Sequence, residues 1–145
     1  MDIIKDFSPN MEIIKGFPPN YDLLKIALNI PKHAIFCYGN KIYNPTGKKI
    51  DEDIIYHETI HRKQQGIYPE QWYNRYISYE EFRQDQEIEA YGEQYKWNKE
   101  RISGKLLRWR LEKMAEALSN DYNLKLSFNE AISKIRNYEK SRRNK

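Results

Sequence analysis

His57, Glu58 and His61 stand in the spacing HExxH within the run DEDIIYHETIHRKQQG, from Asp51 to Gly66. On a helix, residues four apart lie about 40° from each other around the axis and one turn apart along it, so both imidazoles can reach a single ion. Glu58 then stands beside that ion rather than on it, placed to take a proton from a bound water and pass it to a leaving group. So short a match also arises by chance, and the surroundings must support it. Asp51, Glu52 and Asp53 put negative charge where a helix N-terminus favours it, and Gly66 stands where a helix would stop. Ile50, Ile54, His57 and His61 fall on one helical stripe, which predicts that both imidazoles face the core. The competing expectation is a pair of hydrogen-bonded core histidines with no metal between them. His33, the remaining histidine, reads as a loop residue.

A zinc ion that keeps a position open for water takes three protein ligands. No histidine follows His61, so the third ligand must be a carboxylate or Cys37. The segment YEEFRQDQEIEAYGEQYKWNKE, from Tyr79 to Glu100, is rich in helix formers and reads as one long helix. Its inward stripe is expected at Phe82, Gln86, Glu89 or Ala90, Glu93 and Trp97, where two carboxylates interrupt a packing face. Buried carboxylates require a cation or donors, which makes Glu89 the expected ligand. Glu93, one turn further on, would accept the distal N–H of a ligand histidine and fix its tautomer. Glu87 lies about 200° from Glu89 around the helix and is expected to face solvent. The alternative for Glu89 and Glu93 is a solvated face of ordinary charges. Cys37, the single cysteine, excludes an intramolecular disulfide and reads as a small apolar residue of a strand.

HETIH followed on a second helix by IEAYGE resembles the gluzincin metallopeptidases, whose pattern is HExxH with ExxxD downstream. The order IFCYGNKIYNP, HETIHRKQQ, EIEAYGEQY and LSNDYNLKLSFNEAISKI resembles small metallopeptidases encoded by bacteriophages, over most of the chain from about Ile14. The resemblance implies one zinc ion per chain on His57, His61 and Glu89, with Glu58 as general base in peptide hydrolysis and Glu93 behind a ligand. Glu93 departs from the pattern, being Glu where Asp is commoner. No histidine occupies the usual place of an oxyanion donor, so Tyr73, Tyr76, Arg83 and Tyr91 are the candidates for that role and for substrate contacts. The implied partners are a peptide or protein substrate and a component of phage assembly. The rival expectation is a catalytically silent structural or binding protein, stabilised by its metal, that belongs to a virion or its assembly.

The 145 residues amount to one domain, enough for one core but small for a peptidase with a second, substrate-covering lobe, so an open site is expected. With 39% hydrophobic residues, 12 Tyr and 3 Trp, much of that core must consist of aromatics with polar tips. No segment has the apolar length of a membrane span and Met1 to Lys5 is no secretory leader, so a soluble cytoplasmic protein, or one that joins a virion, is expected. The net charge of +4 comes largely from the C-terminus. The basic tail, residues 140–145, is expected to be solvated, and Trp109 between Arg108 and Arg110 to edge a helical core; no nucleic-acid partner is expected.

MDIIKDFSPN and MEIIKGFPPN are near copies. Residues 1–10 are expected to be a flexible extension, and the second copy to dock on a domain spanning 11–139. A short helix is predicted from Tyr21 to Ile30, then a β-hairpin over 34–38 and 41–44 turning at Gly39-Asn40. A helix from Pro69 to Ile77 should carry Trp72, Tyr73 and Tyr76 toward the site, another should run from Leu106 to Leu118, and Ser127 with Glu130 should cap a last one. The expected class is therefore α+β: a mostly helical single domain with a small N-terminal hairpin or sheet beside the HExxH helix and a second helix bearing the glutamate ligand, a minimal zincin-like arrangement. The hairpin's edge could pair with a substrate backbone or simply cover the core.

Overall fold

Helix-forming runs and three short extended stretches divide the described residues, 11–143 of a computed structural model, into seven helices and three strands. The expected extension at residues 1–10 and the last two residues of the basic tail lie outside the described residues. The strands are β1 (Glu12–Ile14), β2 (Phe36–Tyr38) and β3 (Lys41–Tyr43). β2 and β3 form the expected hairpin, with Gly39 at φ +63° in the left-handed region that its turn requires. β1 was not expected as a strand. It lies parallel to β3, Ile13 opposite Ile42, and gives the order β1-β3-β2. Two of its three residues are exposed, so it carries no alternation for a sequence pattern to reveal.

The helices are α1 (Tyr21–Ala27), α2 (Glu52–Gln65), α3 (Pro69–Ser78), α4 (Glu80–Lys99), α5 (Gly104–Asn120), α6 (Phe128–Arg136) and α7 (Tyr138–Arg143). Gly66 ends α2 at φ +58°, its N–H bonded to the Arg62 carbonyl. Pro69 opens α3 in the first turn, where a missing N–H costs nothing. At α6 the Ser127 side chain accepts from the Glu130 N–H while Glu130 accepts from the Ser127 N–H, the predicted capping box. Residues 140–143 of the expected tail continue α7.

Two apolar clusters form. One joins α1, β2 and α3 through Leu24, Leu28, Phe36, Trp72, Tyr73 and Tyr76. The other joins α4, α5 and α6 through Tyr91, Leu111, Met114, Leu118, Ala131 and Ile135. The most extensive helix–helix contact, α2 against α4, is of a different kind. It brings buried Asp53, His57 and His61 of α2 against buried Glu87, Gln94 and Asn98 of α4. A polar seam of this size must satisfy its groups internally. Among the described residues, no helix is long and apolar enough to cross a membrane.

Candidate metal centre

The seam brings three side chains with ligand atoms together. His57 Nε2 and His61 Nε2 are 3.1 Å apart, as one helical turn allows. From α4, Glu87 Oε1 lies 3.4 Å from His57 Nε2 and Glu87 Oε2 3.2 Å from His61 Nε2. Donors around a tetrahedral zinc with bonds of ~2.0–2.1 Å are separated by ~3.3 Å, so these spacings suit such an ion. All three residues are buried. Glu87 Oε1 is buried without a hydrogen-bond partner, and a cation would satisfy an oxygen left in that state. The donor set, two imidazoles and a carboxylate, is one that zinc accepts.

The expectation that Glu89 completes this set is corrected: Glu87 does so. Phe82 is not the anchor of the buried stripe of α4. That stripe runs through Arg83, Glu87, Ala90, Tyr91, Gln94 and Trp97, one residue out of phase with the expected one. Phe82 instead packs at the margin against Trp72 and under the Arg75 guanidinium, 4.0 Å from its ring centre. Arg83 is buried because its donors are used on the carbonyls of Tyr76, Ile77, Tyr122 and Asn123. Glu93 is corrected as well. It accepts from the Tyr138 hydroxyl and from Arg142, anchoring α7 rather than a histidine. The ExxxD spacing, counted from Glu87, falls on Tyr91 and not on an acid.

What meets the histidines is a pair of glutamines. His57 Nδ1 lies 2.9 Å from Gln94 Oε1, and His61 Nδ1 lies 2.7 Å from Gln64 Oε1. Gln94 donates through Nε2 to Asp53, whose other oxygen takes a 2.7 Å hydrogen bond from Arg110 of α5. Gln64 donates through Nε2 to Glu89 and to the Gln86 carbonyl. Glu89 is thus two hydrogen bonds away from His61. Sequence reasoning missed Glu87, Gln94, Gln64 and Asp53. The signal available was the recurrence of polar residues at helical spacing on both helices.

Electrostatics follow from this geometry. Burial disfavours the charged form of Glu87, yet His61 and His57 outweigh it and hold the carboxyl well below the usual range. Burial likewise opposes charge on His61, but Glu87 overrides it and carries the imidazole up to about 9 in the absence of metal. Glu58 behaves differently: burial pushes its carboxyl up, against the pull of His57, His61 and the Cys37 backbone. Cys37 is buried and free, and burial raises its thiol far out of the reactive range.

A cleft of about 270 Å³ lies beside the centre, lined by His57, Glu58, Tyr91 and Gln94 though by neither His61 nor Glu87. One wall is the segment from Ile30 to Phe36, and the other is α5 with Trp109, Arg110 and Met114. β2 is an edge strand, but its Cys37 carbonyl already accepts from Gln65 and Tyr73, so at that point its outer edge is covered. Three of the four expected oxyanion donors are similarly committed. Tyr73 donates to Cys37, Tyr76 to Glu87 at 2.5 Å, and Arg83 to backbone carbonyls. Tyr91 lines the cleft, its ring edge-on to His57 and its hydroxyl 2.7 Å from that of Tyr122. No family model, no curated protein and no solved structure matches the chain.

Proposed function

We propose that the protein is a zinc-dependent peptidase of minimal zincin-like form, with the ion held by His57, His61 and Glu87. The observation that carries this is the buried triangle of donor residues His57, His61 and Glu87, whose Nε2 atoms are 3.1 Å apart and each 3.2–3.4 Å from a different Glu87 oxygen, with His57 and Glu58 both lining an open cleft. A zinc ion held by His57, His61 and Glu87 would supply Lewis acidity there. Glu58 accepts the proton from the attacking water and returns it to the leaving amine. Its Oε2 is 4.0 Å from His57 Nε2.

Tyr91 and Tyr122 serve the developing negative charge on the substrate carbonyl. Burial raises both phenols well above the ordinary tyrosine range, so each keeps its proton near neutrality. Two hydroxyl protons share one hydrogen bond, which leaves one O–H for a third acceptor in the cleft. The proposed substrate is an extended protein segment lying between Ile35 and α5. The sequence resemblance extends the proposal to a partner presented during phage assembly. A closed, silent metal site fits less well, because the cleft reaches both His57 and Glu58.

The test is metal content together with hydrolysis of an unstructured protein by wild type and Glu58→Gln. The variant should hold one zinc per chain and lose activity by ~10²–10⁴-fold, the worth of a general base. Undiminished activity in Glu58→Gln would sink the mechanism.

A further inference from the structure

Each histidine of the centre is backed by the same three-part chain: imidazole Nδ1, glutamine amide, carboxylate. An amide can be turned either way, and which end faces the ring decides whether Nδ1 donates or accepts. On the far side the choice is closed. Asp53 faces Arg110 and Asn98, both donors, so its carboxylate accepts and Gln94 must offer it the NH2 end. Gln64 must do likewise, because both its outer partners, Glu89 and the Gln86 carbonyl, accept. Each glutamine is then left with only its oxygen for the histidine.

We propose that Gln94 and Gln64 are positioning residues that put the proton of His57 and of His61 on Nδ1, so that both Nε2 atoms turn lone pairs toward the point they share with Glu87. The carboxylates of Asp53 and Glu89 act through the amides without touching the ring. This rests on the zinc reading above and deepens it: the site's affinity is set partly by residues outside the donor triangle. Direct carboxylate–histidine contacts would place an anion against each ring, whereas an interposed neutral amide passes on the direction of the hydrogen bond without the charge.

Long-range 1H–15N spectra of the metal-free wild type should show His57 protonated at Nδ1 and bare at Nε2. Gln94→Leu and Gln64→Leu should each weaken zinc binding ~10–100-fold, the usual effect of losing a ligand's supporting partner, measured by competition with a chromogenic chelator. The exchange pair Gln64→Glu with Glu89→Gln keeps an acceptor against His61 and should recover most of the Gln64→Leu loss. A purely structural role would not give that recovery. His57 protonated at Nε2 in the wild type, or both leucine variants binding zinc within about twofold of wild type, would overturn the proposal. The wild-type spectrum decides it even if a leucine variant fails to fold. Wild type that holds zinc but cleaves nothing would instead remove the peptidase reading and leave this one standing.

Discussion

At the scale of single residues, the separation between Glu87 and Glu89 is the sharpest feature. Glu87 presents one oxygen to each histidine and takes the Tyr76 hydroxyl as well, while Glu89 reaches only Gln64. Glu87→Ala should therefore abolish stoichiometric zinc binding, and Glu89→Ala should leave one ion per chain bound at reduced affinity; equal losses in a chelator titration would place the ligand elsewhere. Asp121 offers a test away from the metal. Burial raises its carboxyl to about 6, with Glu87 adding to that and His33 opposing it. Against an ordinary aspartate near 3.9, the folded form binds more protons between about pH 4 and 6, so its contribution to stability is present at low pH and is lost as pH rises through that window. Asp121→Asn should raise the melting temperature above pH 6 and change it little at pH 4. The reverse pattern would show that its ionised form has a favourable partner.

Among the elements, α4 shows what a sequence can and cannot disclose. Its limits were legible from composition, and those of α2 from three acidic residues before the motif and a glycine after it. The face of α4 was not, because the stripe was sought from Phe82, an apolar residue, while the helix buries Arg83, Glu87, Gln94 and Asn98. Apolar periodicity finds a face that meets oil-like neighbours; a face that meets another polar face has no such signature. The HExxH spacing placed its two histidines together, but their α4 partners Glu87 and Gln94 depended on a rotation of one residue, about 100°. The far side of α4 supplies a prediction of its own. Gly92 lies directly beneath the Tyr138 ring, where an added methyl would meet the side chain. Alanine is intrinsically the better helix former by ~1 kcal/mol, but overpacking of this kind costs ~1–3 kcal/mol, so Gly92→Ala should be destabilising. Hydrogen exchange should quicken over α7 first; unchanged exchange with a raised melting point would mean that α7 yields freely.

For the molecule as a whole, the polar seam between α2 and α4 is distinct from the two apolar clusters, and the proposed ion belongs to that seam. Zinc that binds only the folded form should stabilise it by ~2.7 kcal/mol at a hundredfold excess over its dissociation constant, a rise of roughly 5–15 °C for a domain of this size. Calorimetry with and without chelator measures it, and His57→Ala should erase the difference. The order of the chain adds a consequence in time. The three donors, Glu58 and both glutamines with their carboxylates all lie between Asp53 and Gln94, whereas Arg110 and Tyr122, which belong to the cleft, come later. During synthesis at ~5–20 residues per second, the donor set leaves the ribosome a few seconds before the α5 wall can join it. A nascent chain would thus pass through an interval in which the candidate donors and the Ile30–Phe36 wall have emerged while the α5 wall of the cleft is still missing.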